Sequence, residues 1–135
     1  MEKPKKLKMK NPKRKLKLEC DKLFKEAVLL KANNQCEVCG SSFGVTAHHF
    51  IPRSLAAHLI HYLPNGIAIC QNCHFALHFK SDPTIIAAII KKRGEKWLKD
   101  LQKRRKERHY SFKTIKWYNE QIKCLNKYLQ FKNQN

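Results

Sequence analysis

Two Cys-x-x-Cys pairs, Cys36–Cys39 and Cys70–Cys73, stand thirty residues apart in the chain. Each pair can fold into a knuckle that offers two thiolates, and two knuckles at this separation complete a four-sulfur zinc site. Gly40 follows the first pair and permits the tight turn that a knuckle requires. The segment framed by these pairs is too small for a self-sufficient apolar core, so a metal is expected to contribute to folding as well as to shape. At 135 residues the chain is of single-domain length. Its start, Met1-Glu2-Lys3-Pro4-Lys5, is followed by no apolar run, so no signal peptide is expected and the paired cysteines are read as metal ligands, not disulfides. Cys20 and Cys124 fall outside the frame in helical patterns and are expected to be small, partly buried apolar residues.

Charge limits the partners. Lys and Arg number 29 against 10 Asp and Glu, a formal net charge of +19. Such an excess suits a polyanion, because Lys and Arg contacts to phosphates release condensed counterions. No stretch combines a long basic face with a continuous bulky apolar one, and no apolar run is long enough to span a bilayer, so a membrane partner is not expected. A cytoplasmic location, on the nucleoid in a bacterial or phage setting, follows, with a nuclear address left open by the lysine run.

Along the chain, residues 1–17 form a lysine-rich arm with Pro4 and Pro12 and little to bury, expected to be disordered when free. An amphipathic helix is predicted from Leu18 to about Asn33. Val45 to Ile51 alternates as a strand, Pro52 interrupts it, and residues 53–64 read as a short helix or ordered loop. Gly66 to Cys70 gives a second short strand, and the second knuckle runs directly into a helix ending near His78. Asp82-Pro83 then opens a helix that Gly94 closes, a second helix carries Trp97, Leu98 and Leu101, and Ser111 is expected to cap a last one. The final seam of Ile115, Tyr118, Ile122, Leu125 and Leu129 is expected to pack within the chain, with pairing to a second copy as the other possibility. The oligomeric state is open. The expected fold class is therefore α+β: a small ββα core stapled by zinc over residues 18–80, preceded by the arm and followed by a basic helical extension over 81–135.

Within and just beyond the zinc frame lie His48, His49, Asn65, His74 and His78. Singly, each has an ordinary explanation. Asn65-Gly66 is a common turn pair, and His78 could be a solvated helix residue. In order, however, CEVCG, AHHFIPRS, NGIAIC and CQNCHFALH resemble the HNH endonucleases, whose core is a ββα-metal fold. The resemblance spans residues 36–78. It implies a metal-dependent endonuclease hydrolysing phosphodiester bonds of DNA, with His49 as general base and a divalent cation, Mg²⁺ or another, held by His48, His74 and His78. It also implies structural Zn²⁺ on Cys36, Cys39, Cys70 and Cys73. Asn65 matches the family asparagine that orients the catalytic histidine, or that in some members touches the metal instead, and its carbonyl is expected to accept from that ring. Strict alternation sends His48 and His49 to opposite faces of a strand, so a distortion or a wide site is expected. His74 and His78, at i and i+4, share one helix face.

Gly66 stands where the family more often has a bulky apolar residue, so a looser strand start is expected. Lys13, Arg14, Lys15, Arg53, Lys103, Arg104 and Arg105 are the candidate contacts to nucleic acid, double-stranded or branched. The helical tail is loosely similar to phage recombination nucleases of the NinG type, which act on branched DNA. His58 and His61 are expected to be structural or surface residues.

The rival class is a zinc-knuckle protein that grips nucleic acid without cutting it, which would have no use for His49 or Asn65. A zinc deaminase would require His-x-Glu, absent here, and a C₂H₂ finger would require a different histidine spacing.

Overall fold

The computed structural model describes residues 11–107 and 112–134. Residues 1–10 of the expected arm, and Ser111, lie outside them. Strands β1 (Val45–His49) and β2 (Gly66–Cys70) pair antiparallel, in continuous register from Val45 opposite Cys70 to His49 opposite Gly66. Around this hairpin stand α1 (Pro12–Lys31), α2 (Gln71–His78), α3 (Pro83–Arg93), α4 (Glu95–Lys106) and α5 (Ile115–Gln134). The class is α+β, and β1, β2 and α2 form the expected ββα unit. β1 ends at His49, two residues sooner than predicted, and two 3₁₀ turns (Ala57–Leu59 and Leu63–Asn65) carry the chain to β2.

The first helix begins at Pro12, so residues 12–17 are not the disordered arm that their charge suggested. Asn11 accepts a hydrogen bond from the Lys13 N–H at 3.1 Å, and Pro12 takes the first helical position, where its missing N–H costs nothing. Local capping outweighed lysine repulsion. The last helix starts likewise from Thr114, whose hydroxyl accepts from the Trp117 N–H at 3.1 Å. Asp82 caps α3 through the Thr84 N–H, and Gly94 ends it at φ +94°, which an L side chain rarely adopts.

The hairpin has two covered faces. Ala47 and Ala68 face Phe24 and Val28 of α1, which α5 backs with Ile122, Leu125 and Leu129. Ile67 and Ile69 face the other way, onto Cys36, Cys70, Cys73 and the α3 residues Ile85 and Ile89. The last seam thus packs within the chain, against the first helix; its Ile115 stays exposed, and so does Cys124 on the same helix, contrary to the expectation of partial burial. Cys20 is fully buried and points its thiol at the Tyr118 carbonyl.

Gly66 has its own reason. A Cβ there would drive into Val28 Cγ2 and reach Phe24 Cζ at 3.0 Å, so glycine lets α1 lie directly on the strand. The strand start is tight, not loose. A buried carboxylate ties α3 to the same hairpin: Glu37 accepts from the Ala68 N–H (2.7 Å) and from Arg93 at 2.7 and 2.9 Å, while Arg93 also donates to the Gly66 carbonyl. Among the described residues no helix is long and apolar enough to cross a membrane.

Candidate active site

The two knuckles converge. The sulfurs of Cys36, Cys39, Cys70 and Cys73 all lie within 4.8 Å of one another, and Cys39 Sγ is 3.7 Å from Cys70 Sγ. A tetrahedral zinc with bonds of about 2.3 Å places its sulfurs roughly 3.8 Å apart, so a small contraction would close the set. The thiols themselves ask for a cation. Burial raises Cys36, yet the backbone N–H groups of Cys39, Cys70 and Val38 outweigh it and bring that thiol down to about 6. Burial and the neighbouring sulfurs then hold Cys73 well above the ordinary thiol value. One thiolate forms readily, and its charge opposes the next. The cluster is compatible with structural zinc.

On the Ile67 face of β1 three imidazoles gather. His48 stacks on His74 with centroids 4.0 Å apart and planes 20° from parallel, and His74 meets His78 edge-on at 4.4 Å. His48 Nε2 lies 2.6 Å from Thr46 Oγ1, two residues back on the same strand face. Burial first, then the charges of His74 and His78, pull His48 down to about 4, and burial and His78 lower His74. Both rings are neutral at pH 7 and keep lone pairs for a metal. Among the described residues the group whose ligand atoms converge is the four cysteines, so joint coordination by the three imidazoles asks a ring to turn about its χ angles.

His49 points to the opposite face, because the register has no bulge to re-aim it. Its ring stacks on Phe24 at 5.1 Å and 10°. Its Nε2 is 2.7 Å from the Ile60 carbonyl oxygen. A carbonyl only accepts, so Nε2 carries the proton and Nδ1 the lone pair. Asn65 does not meet this ring, in contrast to the expectation. Fully buried, it receives the Ile51 N–H at 2.8 Å and donates to the Ile51 and Leu59 carbonyls. It braces the loop from Ile51 to Leu59, immediately before the carbonyl that holds His49.

His49 opens onto a cavity of about 280 Å³ lined also by Lys17, Asp21, Phe24, Lys25, Ala47, Arg53 and Ile60. Arg53 therefore stands beside the predicted base. Lys13, Arg14 and Lys15 are exposed on the first turns of α1, and Lys103, Arg104 and Arg105 on the last turns of α4. Arg104 lies over the Tyr62 ring at 4.7 Å. His58 donates to the Arg104 carbonyl at 2.8 Å. The sequence reading missed Lys17, Asp21, Phe24 and Lys25 as neighbours of His49. Their steps of three and four along α1 put them on one helix face, which was the available signal.

Residues 36–80 match the family model described as HNH endonuclease, a third of the 135-residue chain. No curated protein and no solved structure matches the chain. The match contains the four cysteines, the four histidines at positions 48, 49, 74 and 78, and Asn65, and it supports assignment of this segment to a nuclease family. α1, α3, α4 and α5 lie wholly outside it.

Proposed function

We propose that the chain is a metal-dependent endonuclease that hydrolyses phosphodiester bonds of DNA, with His49 as general base. The observation that carries this reading is the grip of the Ile60 carbonyl on His49 Nε2, within a cationic cavity and one residue from three clustered imidazoles. The fixed tautomer leaves Nδ1 free to take a proton from an attacking water, as imidazole does well near neutral pH. Asn65 is a positioning residue: it holds the loop that holds the base. Phe24 fixes the ring plane from the other side.

His48, His74 and His78 would hold the divalent cation, and imidazole nitrogens suit it. When bound, that cation would supply positive charge for the phosphoryl and leaving oxygens. The donors are imidazoles with no carboxylate among them, a set that favours a first-row transition ion such as Ni²⁺ or Zn²⁺ over Mg²⁺. Because His48 and His49 leave opposite faces, the scissile phosphate would sit at the end of β1, over its free edge. β1 pairs only with β2 among the described residues, so its other edge carries no strand.

The test is supercoiled plasmid and a branched duplex, each incubated with Mg²⁺, Mn²⁺ or chelator. Nicking that requires metal is expected, and His49→Ala should lower its rate about 10²–10⁴-fold while DNA binding in chelator persists. Wild-type protein that binds but never cuts would replace this reading with the noncatalytic zinc-knuckle one.

A further inference from the structure

We infer that the cavity beside His49 is a binding site for a phosphate group of the nucleic-acid backbone, built chiefly by α1, with Lys25 and Arg53 as its principal cations. α1 lies outside residues 36–80, the segment that matches the family model.

The placement of α1 is dictated by packing. Val28 and Phe24 occupy the space above Gly66, the residue that pairs with His49 across the hairpin. With that turn seated on the strand, the preceding turns of the helix run past the His49 ring, and Phe24 stacks on it. Lys25, Asp21 and Lys17 consequently line the same cavity as His49 and, from the loop after β1, Arg53. At about 280 Å³ the space admits a tetrahedral anion with ordered water.

The charges favour an anion. Asp21 is the one carboxylate in the lining, and it is occupied: Oδ1 accepts the His61 Nε2–H at 2.6 Å, and Oδ2 lies 4.0 Å from Lys17 Nζ. Lys25 and Arg53 are exposed and enter no ion pair among the described residues.

That the anion is a phosphodiester rests on the nuclease reading; that the cavity takes phosphate does not. The experiment uses the full chain loaded with zinc and with no Mg²⁺ or Mn²⁺ added, titrated with inorganic phosphate while the His49 ring is followed by NMR. A saturable shift is expected in the wild type and in Lys25→Arg. Lys25→Ala should bind about tenfold more weakly, the size of one lost charge-assisted hydrogen bond. Lys22→Ala removes a charge from the same helix outside the cavity lining and should change nothing. A missing or unsaturable shift, or equal behaviour of Lys25→Ala and the wild type, overturns the site. Cleavage by the same proteins is read separately. If His49 responds to phosphate but no variant cuts DNA, the nuclease reading fails and the phosphate site stands.

Discussion

His61 is 2 % exposed, enclosed by Phe24, Trp117 and Tyr118, and it donates Nε2–H to Asp21. Two influences compete over its charge. Burial lowers its proton affinity and the Asp21 carboxylate raises it; burial wins, so the contact is a hydrogen bond from a neutral ring and not an ion pair. The buried Nδ1 has no hydrogen-bond partner among the described residues. In the unfolded chain the same imidazole titrates near its ordinary value of about 6.5. As pH falls below that value, the unfolded state takes up a proton that the folded state refuses, and stability declines until the lower folded value is passed. His61→Gln keeps a donor toward Asp21 and removes the titration. Thermal melts from pH 7.5 to 5 should therefore show a smaller fall in Tm for the variant, and equal falls would disprove the assignment. The type and place of Asn65 were readable, but which backbone groups it braces depends on the path of residues 51–59, and no spacing rule reports that path.

Between elements, the decisive contact is α1 against β2 at Gly66. Gly66→Ala forces a methyl group into Val28 and against Phe24, an overpacking that costs about 1–3 kcal/mol. If that clash is the cause, the Val28→Ala and Gly66→Ala effects will not add. The double variant should be more stable than the sum of the two single losses predicts, as measured by denaturant melts; strict additivity would mean that glycine serves some other need. This contact also marks where sequence reading stops. Asp82-Pro83, Gly94 and the alternation of GIAIC are local signals, and each produced the element expected of it. The start of α1 was local too, but Asn11-Pro12 was outvoted by the surrounding lysines and read as disorder. The approach of Lys25 to His49 was not local at all. It follows from helix packing over a glycine more than forty positions later in the chain, and a glycine at a strand start carries no local sign of such packing.

Across the whole molecule the apolar interior is divided, and the division predicts how the chain comes apart. Cys36, Cys70 and Cys73 belong to the cluster that joins β2, α2 and α3. The clusters that join α1 to α5 contain none of the four converging cysteines: one is built on Leu23, Phe24, Ala27, Val28 and Leu125, the other on Cys20, Ile60, Trp117 and Tyr118. Removing the metal leaves thiols that cannot all ionise at once and a cluster too small to stand alone. Its loss should loosen the knuckles, α2 and the placement of His74 and His78, while the α1–α5 pair retains its apolar seam. Strong chelation, or Cys73→Ser, is thus expected to abolish zinc stoichiometry and to collapse the NMR dispersion of residues 36–80. Most far-UV helical signal should survive, because the two twenty-residue helices α1 and α5 hold most of it. Because Trp117 lies in the α1–α5 part and Trp97 packs on the cysteine cluster, the two indoles report the halves separately. Trp97 should become exposed first, and simultaneous exposure of both would show that the metal supports the whole interior and not one part of it.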